Sequence, residues 1–354
     1  MKRFAVFALL AGLACSKGPA APPEQAIALP SDTLEAEWSE VPVAAPAAGG
    51  HWVVVSPEWN AAVIADFQAK SLTPLGGAKQ TAYLNPFMVS TFADTILLAD
   101  WGKRRTTVWS PEGRLIDSIP LVLALRGAYP RARDAAGQLY FQVDPVAGRD
   151  GSGNQDSIAV VRAPRSLTRF DTIAHLAPRE MAAVTVENAT RFEQRVYSGA
   201  DVWGVWPEGT LWIARRFRNQ VITVSPRGEV HKGPELPDPV YEVTQADRDR
   251  YLQAYPVEVR PKETDLAWAV VFPPFTTAFP TRDGVWLEKT KQALDSLRRI
   301  QVLDRDGALR RVLVIRGQAR LIAVGTDKLL LGEQFAKGVR LMEVRIPAPL
   351  APTP

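Results

Sequence analysis

Thr95–Gly113 reads TILLADWGKRRTTVWSPEG, and Thr210–Gly228 reads TLWIARRFRNQVITVSPRG. Laid over each other without a gap, the two stretches share Thr95/Thr210, Ala99/Ala214, Ser110/Ser225, Pro111/Pro226 and Gly113/Gly228, with apolar facing apolar at most other places. Each is a hydrophobic strand, a polar turn and a second strand, closed by Ser-Pro-x-Gly, whose glycine supplies the positive φ that a hairpin turn requires. A unit of this size, self-similar and rich in strand formers and turns, predicts an all-β array of small sheets around an axis, a β-propeller.

Working outward, the last residue of the hydrophobic strand in each unit falls at Ser56, Asp100, Val143, Arg215, Lys289 and Glu333, from WVVVS, LLAD, YFQV, WIAR, WLEK and LLGE. The intervals are 44, 43, 72, 74 and 44 residues, so three are one period and two carry an insertion. Six blades are expected, each with an innermost strand, a hydrophobic second strand, a third and an outer fourth; a seventh blade hidden in an insertion is the competing count. The final blade, about Ala319 to Pro347, has material for only three strands, and the segment Ala26 to Leu34 is expected to cover its edge and close the ring. Trp52, Tyr140, Trp212 and Trp286 recur at nearly the same place in the second strand, which predicts packing between blades rather than a sugar platform.

The N-terminus has a different chemistry. Lys2 and Arg3 precede an apolar or small run, Phe4 to Ala14, too short to span a bilayer as a helix, and then comes Cys15, the single cysteine of the chain. Ala11 to Ala14 before that cysteine resembles a bacterial lipoprotein signal, which implies lipidation of Cys15 and, with Ser16 following, the outer membrane; cleavage after Ala14 without lipid is the alternative. The expected domains are a signal peptide at 1–14, a lipidated cysteine with a Pro/Ala-rich tether at 15–30, a propeller at 31–348 and a disordered tail at 349–354.

Composition narrows the function without naming it. The chain carries 42 basic and 38 acidic residues, a net charge of +4, so net charge alone implies no polyanion partner, and one cysteine excludes an internal disulfide. There are three histidines and no Gly-x-Ser-x-Gly, His-Glu-x-x-His or phosphate-loop pattern, so no catalytic residue, metal or cofactor is assigned. Asp150 to Asp156 alternates oxygen ligands but lacks the glycine and glutamate of a calcium loop, and a plain hairpin loop is preferred.

Motifs like Gly209–Gly228, GTLWIARRFRNQVITVSPRG, in which a Gly turn leads into Leu-Trp-Ile-Ala and an Asn leads into a second apolar strand and a second Gly turn, resemble the six-bladed propellers of the NHL-like and TolB-like group, especially envelope lipoproteins of unassigned function. The resemblance covers roughly residues 30–348. It implies the fold and says little of activity, because such propellers serve as binding platforms, lyases, hydrolases and dehydrogenases.

Topology supplies the functional expectation. In an up-and-down blade the loops after the second strand and those between blades share one rim. Both insertions, about Pro178–Asp201 and Leu236–Ala278, fall there, and Thr244 with Asp247 predicts a short capped helix over Thr244–Tyr255 whose apolar face is Tyr251, Leu252 and Tyr255. The same decorated rim receives Lys103, Arg104, Arg105, Arg215, Arg216, Arg218, Lys289 and Lys291, while the plain rim collects Asp94, Asp134, Glu208, Asp283 and Asp327. Candidate binding residues are Asp100, Trp101, Lys103, Arg105, Arg215, Arg216, Lys289 and Glu333; of these, the strand-end charges Asp100, Arg215, Lys289 and Glu333 would either converge at the mouth of the central channel or pair with one another. The expected function is a lipid-anchored, monomeric envelope scaffold binding a protein, an anionic glycan or lipid headgroups through the decorated rim, with no nucleic acid. The alternative is a hydrolase or lyase with its site at the channel mouth, and sugar binding would require exposed tryptophans on the rim.

Overall fold

The computed structural model describes residues 22–30, 32–78, 81–145, 156–186, 189–291 and 295–349. Five four-stranded antiparallel sheets arise from consecutive segments: residues 43–74, 86–120, 130–176, 202–232 and 275–316. A sixth blade takes three strands from 320–345. The innermost strands touch in the order 1-2-3-4-5-6 and back to 1, so the ring is closed. The chain is a six-bladed β-propeller, and neither insertion holds a seventh blade.

Closure is achieved by two short N-terminal strands rather than one. β2 (Leu34–Ala36) pairs antiparallel with the last strand of blade 6, Leu34 opposite Leu341, and supplies its fourth strand. β1 (Glu24–Ala26) adds in parallel to the outer strand of blade 5, with Glu24 opposite Val312 and Ala26 opposite Val314. The closing strand therefore starts where the segment 26–34 ends, and residues read from the sequence as tether lie docked on blade 5. The physical reason lies in which residues can be buried. Leu34 and Trp38 are both 6% exposed in a cluster with Trp52 and Val54 of blade 1 and Leu330 and Leu341 of blade 6. Ile27 is buried between blades 5 and 6. Burying side chains of this size is worth about 1.5–3 kcal/mol each.

The core is divided among the clefts between blades, and the six buried clusters correspond to the six clefts. Side chains alternate across a strand, so the second strand of each blade feeds two clefts. Ile96 and Leu98 pack toward blade 1, while Leu97 packs toward blade 3. This explains why those strands read as unbroken hydrophobic runs. Tyr140, Trp212 and Trp286 each pack toward the next blade, as the recurrence predicts. Trp52 sits one position earlier relative to the strand end and packs toward the preceding blade, since a shift of one residue reverses the face.

Helix α1 (Gln245–Gln253) has the predicted capping box: the Asp247 backbone N–H donates to Thr244 Oγ1, and the Thr244 N–H donates to Asp247 Oδ2 at 3.0 Å. Its aromatic face joins the two insertions. Tyr251 stacks edge-on against Tyr197 and Trp268, at centroid distances of 5.7 and 5.5 Å. Tyr197 comes from the insertion before blade 4, and its hydroxyl donates to the Asp247 carbonyl at 2.9 Å. Val196 and Trp268 form a parallel bridge beside them. The two insertions are thus knotted into one annexe. Burial and the Tyr255 hydroxyl push the Tyr251 phenol up to about 12. Among the described residues no helix is long and apolar enough to cross a membrane. Cys15, the signal segment and most of the Asp150–Asp156 loop lie outside the described residues.

Candidate functional site

The strand-end charges do not gather around the axis. Blade sheets radiate from the axis and side chains stand perpendicular to a sheet, so these residues point sideways into clefts. Asp100 shares its face with Ile96 and Leu98, Arg215 with Ile213, Lys289 with Leu287, and Glu333 with Leu331; each is directed at the preceding blade. None pairs with another of the four. Arg215 binds Asp201 at 2.7 Å and Glu333 binds Arg340 at 3.7 Å. Asp100 is fully buried and accepts the backbone N–H groups of Leu84 and Asn85, at 2.9 Å each, and of Lys103 at 3.2 Å.

The basic residues of the rim are likewise largely engaged. Arg216 is 4% exposed: it binds Glu180 at 3.0 Å and the Pro178 carbonyl at 3.1 Å, and stacks on Phe217. Burial pulls its guanidinium below the usual arginine range, against Glu180 and Asp201. Lys103 and Arg105 donate to the carbonyls of Thr81 and Ala82. Arg218 pairs with Glu235 at 3.2 Å. On the plain rim Asp134 is buried under the Tyr140 hydroxyl, and Glu208 pairs with Arg305.

Lys289 marks the most elaborate site. It lies at the floor of a cavity of about 580 Å³ between blades 4 and 5, beneath the insertion 233–274. Its ammonium binds Asp238 Oδ2 at 2.6 Å and Asn219 Oδ1 at 3.2 Å. Burial pulls the Lys289 ammonium below the usual lysine range, with Asp238 opposing. Gln301, 6% exposed, donates from Nε2 to both Asp238 oxygens, at 2.9 and 3.1 Å. A carboxylate only accepts, so the amide orientation is fixed by chemistry: Oε1 must point away from Asp238, and it is a buried acceptor with no hydrogen bond. Arg216 Nε, on the same lining, is a buried donor in the same condition. Pro237, Pro239, Pro273 and Pro274 form part of the wall, rigid residues that bring no N–H of their own. Glu24 of β1 closes the outer side through Arg299 at 2.6 Å.

Sequence reasoning selected Lys289 and Arg216 from this site but missed Asp238, Asn219 and Gln301. Asp238 lies in a proline-rich insertion that no repeat aligns, and Gln301 is one of several polar residues in the strand Leu297–Asp304, LRRIQVLD. Of the aromatic turn tips, sequence reasoning selected Trp101 and missed Trp59. Trp59, Trp101 and Phe217 stand at the tips of the loops after the second strand in blades 1, 2 and 4, and are 50%, 68% and 67% exposed. In each turn a non-glycine residue with positive φ follows: Asn60, Arg104 and Asn219. Among the described residues no group of three His, Cys, Asp or Glu side chains stands together as metal ligands would.

Fold and site together define a six-bladed propeller with one rim built up into a cavity-bearing, aromatic-tipped surface. No protein-family profile and no curated protein matches the sequence. Similar solved structures are propellers of low identity. One is a Bacteroides fragilis protein named as exported, at TM-score 0.50 and 8% identity over 91% of this chain and 96% of that one. Others are a DUF4221-family member from Bacteroides vulgatus, at TM-score 0.49 and 9% identity over 90% and 94%, and virginiamycin B lyase from Staphylococcus aureus, at 0.44 and 9% over 89% and 99%.

Proposed function

We propose that this chain is an exported, lipid-anchored binding propeller of the cell envelope, and that it takes up its ligand, a small molecule or the end of a partner protein, in the cavity between blades 4 and 5. One observation carries the reading: the cavity floor holds a buried polar network whose orientation leaves Gln301 Oε1 without a donor. Buried polar atoms in native proteins are nearly always paired, and a cavity of this size suits a ligand. The ammonium is already neutralised by Asp238, so recognition here is by hydrogen bonding and shape more than by attraction of an anion. The resemblance of Ala11–Cys15 to a lipoprotein signal and the exported neighbour support the address.

Strand direction supports a particular presentation. β1 is parallel to the outer strand of blade 5, which runs from the plain rim toward the decorated one, so the chain before Glu24 enters from the plain side. Six residues separate Cys15 from Pro22, a reach of at most about 25 Å. An anchor there holds the plain rim toward the membrane and leaves the decorated rim free. The alternative of a hydrolase or lyase at the channel mouth gains nothing from the strand-end charges, which lie in separate clefts.

The test is mass spectrometry of whatever is released from natively purified full-length protein, comparing wild type with Leu309→Trp, which fills the cavity and leaves the Lys289–Asp238 pair in place. A stoichiometric species present with the first and absent from the second supports the reading. The same species on both, or none on the wild type, overturns it.

A further inference from the structure

The geometry points to a second binding site, on blades 1 and 2, for the neutral sugar rings of a polysaccharide. It is a depression of about 340 Å³ lined by Pro57, Asn60, Asn85, Pro86, Phe87 and Trp101. It is separate from the cavity beside Lys289 and does not rest on that reading.

Three features of the depression select this ligand. The first is rigidity. Trp101 is 68% exposed, and the backbone of its turn is anchored: Asp100 beneath it ties Leu84, Asn85 and Lys103 together by their backbone N–H groups, and the Trp101 N–H donates to the Asn85 carbonyl at 2.9 Å. Leu84 rests directly on Gly102, where a Cβ would lie 2.9 Å from Leu84 Cβ. Phe87 is braced edge-on by Tyr129, with centroids 5.1 Å apart and the planes at 80°. An exposed aromatic carried on a fixed backbone, beside a second ring that is itself braced, loses less entropy when a ligand covers it than one on a free loop would.

The second feature is charge. None of the six lining residues is ionisable, although Lys103 and Arg104 are two and three residues from Trp101. The lining therefore matches a neutral ligand. The third is the polar complement. Among the described residues neither the Asn60 nor the Asn85 side-chain amide has a hydrogen-bond partner, and each offers both donors and an acceptor. A pyranose ring has an apolar C–H face and a rim of hydroxyls that donate and accept. An indole face beside two free amides complements both. Phe87, 36% exposed in the same lining, extends the aromatic surface beyond a single ring, which favours a chain of sugars over a monosaccharide.

The experiment is titration of the full-length protein in detergent with cellohexaose, chitohexaose, hexagalacturonate and decaproline, read by calorimetry and by the side-chain amide signals of Asn60 and Asn85. We expect a neutral hexasaccharide to bind and to shift both amides, Trp101→Ala to weaken binding roughly tenfold, and Trp101→Phe to retain most of it. Asn60→Gly keeps the positive φ while removing the amide, and should weaken binding with circular dichroism unchanged. Binding of neither neutral sugar, equal binding by Trp101→Ala, or a preference for hexagalacturonate or decaproline overturns the assignment.

Discussion

Lys289 of blade 5 and Asp238 of the insertion that follows blade 4 meet at 2.6 Å with only 9% and 18% of their side chains exposed. This pair pins the annexe to the ring, and its partners are unequally distributed. Asp238 also receives Asn219 Nδ2 at 2.6 Å and both bonds from Gln301. Lys289 has Asp238 and one amide oxygen. Removing one member of a buried pair costs about 3–5 kcal/mol because the other charge is left uncompensated. Asp238→Leu should reach that range, since it strands an ammonium and two amides. Lys289→Met should cost less, because Asp238 keeps its bonds from two amides, Asn219 and Gln301. The double variant should be no worse than Asp238→Leu alone. Urea denaturation of the four proteins measures all three differences, and equal single-variant costs would contradict the unequal sharing.

Glu288, one residue earlier, points the other way, toward blade 6. Its side chain is 4% exposed and faces Arg298 at 3.3 Å. Burial raises its carboxyl above the usual glutamate range, and Arg298 and Arg320 offset this only in part. The folded state therefore holds this proton more tightly than the unfolded chain does. Stability contributed here falls as pH rises from the unfolded value, near 4.5, through the raised folded one. Glu288→Gln should thus be more stable than wild type above that window, with the advantage vanishing below about pH 4.5. Urea midpoints between pH 4 and 8 give the comparison; a constant difference across the range would show that the shift is absent.

These two residues also show what was legible in the sequence. WLEK announces a strand and its end, because a strand buried on both faces must be apolar throughout. The spacing of six such strands carries the blade count. What spacing does not carry is direction: Glu288 and Lys289 occupy opposite clefts, and Lys289, a candidate for the channel mouth from the sequence, lies in the cleft toward blade 4. Asp238 and Gln301 are 63 positions apart, and no local pattern announces their contact. Trp101 was selected as an aromatic among basic residues, whereas the neutral surface around it depends on Asn60 and Phe87 from neighbouring segments.

The annexe should behave as one unit. Tyr197 touches Tyr251, Trp268 and Phe272 and carries the bond to α1. Aromatic contacts are worth about 0.5–1.5 kcal/mol each beyond area, so Tyr197→Ala should destabilise the annexe by roughly 3 kcal/mol. Hydrogen exchange should accelerate in residues 181–194 and 245–272 together, with blades 1 and 2 unchanged. Acceleration confined to the mutated insertion would mean that the two are independent.

The direction of β1 yields a test of orientation that the composition makes clean. Cys15 is the single cysteine, so in a lipidated protein any introduced thiol is the one free site for labelling. Arg227 lies in the plain-rim turn of blade 4 and Arg218 in the decorated-rim turn of the same blade, both exposed. β1 runs toward the decorated rim, and Ile346 donates to Asp327 in a plain-rim turn, so both chain ends leave on the plain side. In vesicles carrying an acceptor on the lipid headgroups, a fluorophore at Arg227→Cys should transfer energy more efficiently than one at Arg218→Cys. Lengthening the segment 16–21 with a flexible linker should reduce the difference, because a longer tether relaxes the constraint on orientation. Greater transfer from Arg218→Cys would place the decorated rim against the bilayer and make its exposed Val257, Val259 and Val270 lipid contacts instead of free surface.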